Sequence, residues 1–396
     1  MKGKKRHNFF YGLAWILCRR SLSKKFNFIF DNIKIKHSPY IVVANHLTNW
    51  DPLLIGLSFR KSMYYVASDH ILRMGLKSKI LEFTMSPIAR VKTANETQTV
   101  ISIFRRLKEN CNICIFAEGT TSFNGETGEV QPSIGKLVKR AGVALVTYRF
   151  TGSYFTFPRW ARFQRKGKIE GRLVQVYSPE KIASMSEDEI YQAVIKDIYV
   201  NAYDDQEKNP VRFRGKKPAE YLETVLYCCP KCKQFGTLKS CDDLLSCTDS
   251  CGFKVRYNEY CYFEIPGSEE TPPFLTIIDW VKWERSVVTA LLSGNIDSNT
   301  PIITDEKQEL FEISRASHNT LIAEGNLSLY KNRLSITAQN GQTIEFFISD
   351  IIDIGVITMK TIVFATEHKI LEIHSKHPRS ALIYMDIINT IKRSVP

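Results

Sequence analysis

Two short stretches carry side chains able to move protons. The first, "ANHLTNWDP" at residues 44 to 52, sets His46 and Asp51 either side of four residues, directly after the apolar run "PYIVV". A carboxylate that accepts from one imidazole nitrogen fixes the ring's tautomer and stabilises its cation, which leaves the other nitrogen to take a proton from an alcohol. The hydroxyl of such a triad is then expected to come from a second molecule. The same letters also fit a blander arrangement, an aspartate capping the amides of a helix beside a packed histidine.

The second stretch is "IFAEGTTS", residues 115 to 122, an apolar run entering a glycine-containing turn with a lone carboxylate. Glu118 offers an acceptor, Gly119 lets the backbone come close, and Thr120 and Ser122 add hydroxyl or amide donors. A third group is made of cysteines: of ten in the chain, seven fall between Cys228 and Cys261. Cys229-x2-Cys232 and Cys247-x3-Cys251 resemble the two knuckles of a zinc ribbon, for which tetrahedral Zn–S bonds of about 2.3 Å are expected. Four thiolates close the coordination shell, so the Zn2+ there is expected to be structural. Cys228 or Cys241 is an alternative ligand. Cys114 lies in the strand-like "NICIF" and Cys111 directly precedes it, and both read as core packing.

These groups need elements to position them. From Pro39 to about Phe150, apolar runs such as "YIVVA", "MYYVA", "NICIF" and "VALVTYRF" alternate with helical stretches such as "TQTVISIFRRLKEN". That alternation predicts an α/β domain with a largely buried sheet. A strand ending at Asn45 puts His46 at its carboxyl tip, where such domains gather reactive groups, and Asp51-Pro52 opens the next helix. "IASMSEDEIYQAVIKDIYVNAY", residues 182 to 203, predicts one helix closing the domain, followed by the basic linker "EKNPVRFRGKKPAE". The cysteine-rich unit occupies 222–265, and "IPGSEETPPF" punctuates its end. The expected organisation is a helix over 1–30, an α/β domain over 31–215, the zinc ribbon, and a β-rich unit over 274–396. In the last, Asn340-Gly341 marks a hairpin and a helix closes the chain, a pattern like a pleckstrin-homology or GRAM module.

At 396 residues with 44% apolar side chains, the chain is long enough for two or three folded units. Its 54 Lys plus Arg against 41 Asp plus Glu give a net charge of +13, which favours a polyanionic partner. Near the start, basic residues flank "FFYGLAWILC" with no acid among them. That run is shorter than the roughly 20 residues a membrane span needs, and more basic residues follow it, so it predicts an interfacial helix with Trp15, Phe9 and Phe10 in the headgroup layer. The alternative is a helix docked on its own domain. A nucleic-acid partner for the ribbon is disfavoured, since Asp242, Asp243 and Asp249 dilute its charge and no base-stacking platform is readable.

"NHLTNWD" followed some 70 residues later by "FAEGTTS" resembles the glycerolipid acyltransferases, the family of lysophosphatidic acid acyltransferases. "SPIARVK" stands where that family has its second block and "GVALVTYRF" where it has its fourth, so the resemblance spans roughly residues 35 to 160. It implies His46 as general base, Asp51 as its orienting partner, and a thioester of coenzyme A or acyl carrier protein as acyl donor. It also implies that Glu118, Gly119 and Thr120 position the acceptor and that Arg90 contacts its phosphate. The family's third block usually ends in arginine, whereas Thr121 stands there in this chain, so Arg90, Lys92, Lys136 or Arg149 must supply the missing charge. The expected function is acyl transfer to a free hydroxyl of a lysophospholipid by a monotopic protein on the cytoplasmic face of a membrane. The alternative is a non-catalytic lipid-binding or scaffold protein that keeps the fold.

Overall fold

The computed structural model describes residues 2–68, 76–90, 97–313 and 319–394. The chain divides into two compact units: the first runs to Arg159 and includes Gln164–Gly215, and the second comprises Trp160–Phe163 and Lys216–Pro396.

The first unit opens with α1 (Lys2–Phe26), β1 (Phe28–Phe30), β2 (Tyr40–Ala44), α2 (Asp51–Ser58) and β3 (Met63–Ser68). It continues through α3 (Leu76–Met85), β4 (Ile88–Arg90), α4 (Thr97–Lys108), β5 (Asn112–Phe116), α5 (Ser133–Ala141) and β6 (Ala144–Thr151). A short α6 (Ser153–Thr156), β7 (Ile169–Tyr177), α7 (Pro179–Ser184), α8 (Glu187–Ile198) and α9 (Ala202–Lys208) complete it. The seven strands form one sheet in the order β1-β7-β6-β2-β5-β3-β4. Every neighbouring pair is parallel except β6 with β7.

The central strands "YIVVA" and "NICIF" are buried along their whole length, as expected of strands covered on both faces. Ile41, Val43, Ile113 and Ile115 pack with Ile103 and Leu107 of α4, Ile134 and Val138 of α5, and Ile190 and Val194 of α8. Each such side chain contributes about 1.5–3 kcal/mol when fully buried. An exposed ion pair such as Arg172–Asp31 (2.9 Å) contributes less than about 1 kcal/mol, so apolar packing is what holds the sheet's tip in place.

The single helix expected over 182–203 is three helices. Ser178, Ser186 and Asn201 each cap a new start, and at Ser186 the cap is reciprocal: its hydroxyl accepts from Glu189 N–H (3.1 Å) while Glu189 Oε2 accepts from Ser186 N–H (2.7 Å).

Helix α1 docks one face on its own unit. His7 is buried against Tyr64, ring centroids 4.0 Å apart, with Nε2–H donating to the Met63 carbonyl (3.1 Å). Tyr11 Oη donates to the carbonyls of Gly56 (3.0 Å) and Phe59 (3.2 Å). Trp15 Nε1 donates to the Leu57 carbonyl (3.2 Å), so the indole turns inward rather than toward a headgroup layer. The opposite stripe, Phe9, Leu13, Ile16 and Leu17, is exposed. Among the described residues no helix is long and apolar enough to cross a membrane.

The second unit begins with β8 (Leu238–Cys241), β9 (Leu244–Cys247), β10 (Lys254–Tyr257) and β11 (Phe263–Glu264), an antiparallel sheet in the order β11-β10-β9-β8. Helix α10 (Ile277–Ser293) follows. Then come β12 (Ile303–Glu312), β13 (Thr320–Leu329), β14 (Arg333–Ala338), β15 (Thr343–Phe347), β16 (Asp353–Thr358), β17 (Thr361–Ala365), β18 (Ile370–Ser375) and α11 (Leu382–Ser394). These seven strands form an antiparallel sheet in the order β15-β14-β13-β12-β18-β17-β16. The Asn340-Gly341 turn joins β14 to β15, with Gly341 at φ +83° and Thr337 paired to Thr343. Helix α10 is tied to the cysteine-rich segment. Its buried Glu284 accepts from the N–H groups of Tyr227 and Cys228, both at 2.6 Å, and Trp280 Nε1 donates to the Cys228 carbonyl (3.1 Å).

Candidate functional site

Strand register brings the two sequence stretches together. In the parallel pair β2–β5, Ala44 stands opposite Phe116, so His46 and Glu118 each lie two residues beyond a matched strand end. Glu118 Oε1 accepts the His46 N–H at 2.6 Å, and Ser122 N–H donates to the His46 carbonyl at 2.8 Å. On the other side Asn45 copies a strand edge, accepting from Phe150 N–H (2.7 Å) and donating to the Phe150 carbonyl (3.0 Å). The backbone of His46 is therefore pinned to β5's turn, while its neighbour Asn45 is pinned to β6.

Asp51 is fully buried at the start of α2. Its Oδ2 accepts from Leu47 N–H (2.6 Å) and Thr48 N–H (2.8 Å) and lies 3.0 Å from His46 Nδ1, while Oδ1 accepts from Thr48 Oγ1 (3.0 Å). These amides belong to the loop before the helix, so the aspartate organises the histidine's loop as well as the ring. A carboxylate can only accept, so Nδ1 carries the proton and the ring's lone pair sits on Nε2. The ring stacks on Phe116, centroids 4.2 Å apart, and at 16% exposure it is reachable from outside.

Glu118 points inward. Its second oxygen accepts from Gly128 N–H at 2.6 Å, so the carboxyl clamps two loops through their backbones. Burial pushes its carboxyl up to about 8, against the pull of the Gly128 and His46 N–H donors, and the charge of Asp51 adds to the rise. Gly119 has φ +69°, and a Cβ there would collide with Arg90 Nη1, so the guanidinium at the end of β4 rests against this glycine. Ser122 holds its own loop, its hydroxyl donating to the Glu126 carbonyl (2.6 Å) and accepting from Gly125 N–H (2.9 Å).

Of the cations proposed to replace the missing arginine, Lys136 is exposed on α5 and Arg149 Nε donates to the Asp197 carbonyl (2.9 Å). Lys92 lies outside the described residues. A cation that sequence reasoning missed is Arg159, whose Nη1 donates to Thr120 Oγ1 (2.8 Å) and to the Thr121 carbonyl (3.0 Å). Its guanidinium lies 4.1 Å above the Phe123 ring centroid. No local motif links it to a turn 38 positions earlier.

In the second unit, the four sulfurs of Cys229, Cys232, Cys247 and Cys251 all lie within 4.8 Å of one another. Cys229 and Cys251 are 3.7 Å apart, and Cys232 and Cys247 3.8 Å. A tetrahedron of Zn–S bonds near 2.3 Å has edges of about 3.8 Å, whereas a disulfide would need about 2.05 Å. The set is able to hold a metal ion. Cys228 is turned away, its thiol near the Lys233 carbonyl (3.5 Å), and Cys241 is exposed.

Residues 26–151 match the family model described as Acyltransferase. Over 129 residues the chain is 27% identical to a probable 1-acyl-sn-glycerol-3-phosphate acyltransferase of Mycoplasma genitalium, a match covering 30% of this chain and 46% of that protein. The chain thus spans about half the length of this curated relative. The crystal structure of the 1-acyl-sn-glycerophosphate (LPA) acyltransferase PlsC from Thermotoga maritima is similar at 17% identity and a TM-score of 0.39, over 51% of this chain and 82% of that one. The segment that carries His46, Asp51 and the Glu118 turn is a domain of the acyltransferase family.

Proposed function

We propose that this protein transfers a fatty acyl group from a thioester of coenzyme A or acyl carrier protein to a free hydroxyl of a lysophospholipid. The observation that carries this reading is the His46–Asp51 pair, Nδ1 to Oδ2 at 3.0 Å, with the partly exposed ring at the tip of a central strand. His46 Nε2 takes the acceptor's hydroxyl proton as that oxygen attacks the thioester carbonyl, and Asp51 stabilises the imidazolium. Collapse of the tetrahedral intermediate breaks the C–S bond, and the proton passes to the leaving thiolate. The products are an ester and a free thiol, and no acyl-enzyme forms. Glu118 keeps the histidine's loop in place, while Arg90 and Thr120 border the turn beside which the acceptor is expected to bind.

The outward stripe of α1 supports a monotopic seat on the cytoplasmic face of a membrane. Exposed Phe9, Leu13, Ile16 and Leu17 run between exposed Lys5 at one end and Arg20 and Lys24 at the other, and α1 contains no acid. Exposed Leu76, Ile80 and Phe83 of α3 add a second apolar stripe. That arrangement suits an anionic bilayer surface. A Zn2+ held by Cys229, Cys232, Cys247 and Cys251 would be structural, since four thiolates leave no position for water.

The test is thiol release by purified wild type and His46→Ala, offered lysophospholipids in detergent with coenzyme A and carrier-protein thioesters. Release that requires one acceptor and disappears in the variant supports the reading. Wild-type protein that binds lysolipid yet leaves every thioester intact replaces it with the non-catalytic one.

A further inference from the structure

The turn that carries Asp51 is gripped by the end of α1. Phe26, the last residue of that helix, is buried, and its ring meets that of Trp50 with centroids 5.1 Å apart. Lys25 Nζ lies 4.4 Å from the centroid of the same indole, within cation–π range. The end of α1 is itself fixed to the sheet, since Ser23 Oγ donates to the Phe28 carbonyl (3.0 Å) and the Asn27 carbonyl accepts from Ile169 N–H (3.3 Å).

Trp50 begins α2 without capping it through its side chain. Its carbonyl accepts from Leu53 and Leu54 N–H, both at 3.0 Å, but an indole has no acceptor for the helix amides that Ser, Thr, Asp or Asn would serve at this position. The side chain therefore acts here through its faces, which α1 holds. The backbone of Trp50 leads to the dyad. Trp50 N–H donates to Thr48 Oγ1 (3.1 Å), Thr48 Oγ1 donates to Asp51 Oδ1 (3.0 Å), and Asp51 Oδ2 lies 3.0 Å from His46 Nδ1. A hydroxyl has one proton, and a bond to its lone pair leaves that proton aimed at the carboxylate. Displacing the Trp50 backbone loosens the hydroxyl, then Asp51, then the imidazole.

We propose that Trp50 is a positioning residue for the His46–Asp51 dyad, held in place from α1 by Phe26 and Lys25. It acts through Thr48 and Asp51. The helix that turns Phe9, Leu13, Ile16 and Leu17 outward thus braces the histidine's loop with its last turn. This inference deepens the acyl-transfer reading and rests on it for the reaction served.

The test compares the full purified chain with Trp50→Ala, Trp50→Phe, Phe26→Ala and the double variant Phe26→Ala/Trp50→Ala. Steady-state thiol release is measured for each, together with hydrogen exchange of segment 46–51 by mass spectrometry. Trp50→Ala should lower kcat about 10–100-fold while KM for the acceptor stays within about twofold, as orientation is lost and binding is kept. The Leu47 and Thr48 amides, which donate to Asp51, should exchange faster. Trp50→Phe keeps a ring for both neighbours and should recover most of kcat. The double variant should lose about as much as Trp50→Ala alone, because the two residues share one contact. An unchanged kcat in folded Trp50→Ala, equal losses in Trp50→Phe and Trp50→Ala, or losses that multiply in the double variant overturn the proposal. If Trp50→Ala does not fold, Phe26→Leu carries the test, and unchanged exchange at 46–51 in that variant overturns it equally. Thiol release by wild type is read separately. Faster exchange in the variants of a protein that releases no thiol leaves the positioning role standing and removes the catalytic reading, whereas release with unchanged kcat and exchange in Trp50→Ala does the reverse.

Discussion

The carboxyl of Glu118 accepts the backbone N–H of His46 at 2.6 Å across two strands whose ends, Ala44 and Phe116, are in register. The histidine's position is thus set by its neighbour's side chain and not by its own loop alone. Its ring is set independently by Asp51.

Replacing Asp51 with asparagine should lower the rate of thiol release by about 10²–10⁴-fold, because an amide carries no charge to stabilise the imidazolium that forms on His46. His46→Ala should fall at least as far with less effect on the unfolding midpoint, since the loop's amides keep their carboxylate. Equal activity in Asp51→Asn and wild type would remove the proposed dyad.

Glu118 predicts opposite trends for stability and activity. Its carboxyl is held near 8 in the fold against an ordinary 4.5, so the folded chain binds the extra proton between those values. The group's contribution to stability is then greatest below about 4.5 and declines as pH rises toward 8. Activity should instead rise through pH 8, as the ionised carboxyl accepts from both His46 and Gly128. Glu118→Gln should abolish that limb of the pH–rate profile and lower the rate throughout.

His7 gives a second pH effect with a different sign. Burial lowers its pKa from 6.5 to about 4, so the fold holds it neutral. Its contribution to stability is fully present above pH 6.5 and is lost progressively as pH falls toward 4. Thermal midpoints of wild type should drop in that window, and those of His7→Phe should drop less. Parallel curves for the two proteins would rule this histidine out as the cause.

Gly119→Ala should cost about 1–3 kcal/mol, since φ +69° and the Arg90 guanidinium both oppose a Cβ. Chemical denaturation measures the cost, and the thiol-release assay should show a loss beyond it, because Arg90 must move.

Metal analysis should find one zinc per chain. Cys232→Ser should lose it and lower the midpoint of the second unit, and a chelator should do the same to wild type. Cys241→Ser should keep the metal, because that thiol is exposed and outside the four-sulfur group.

Local patterns were sufficient for some of this. Unbroken apolar runs such as "YIVVA" and "NICIF" announced a sheet covered on both faces, because a strand buried on two sides has no polar period to show. The His46–Asp51 spacing and the two cysteine pairs could be read because each lies within one loop or one knuckle, where a few residues fix the geometry. What remained invisible depended on partners distant in the chain. The inward turn of Trp15 follows from the Leu57 carbonyl, and the union of α10 with the cysteine-rich segment from Glu284 reaching the amides of Tyr227 and Cys228. The clamp made by Glu118 exists only through the register of β2 against β5, and the seat of Arg159 only through the path that returns residue 159 to the turn at 120. The sequence by itself determined which side chains could do chemistry, through period and spacing. Tertiary structure alone decided which of them meet, since register and long-range packing arise from the pairing of whole elements.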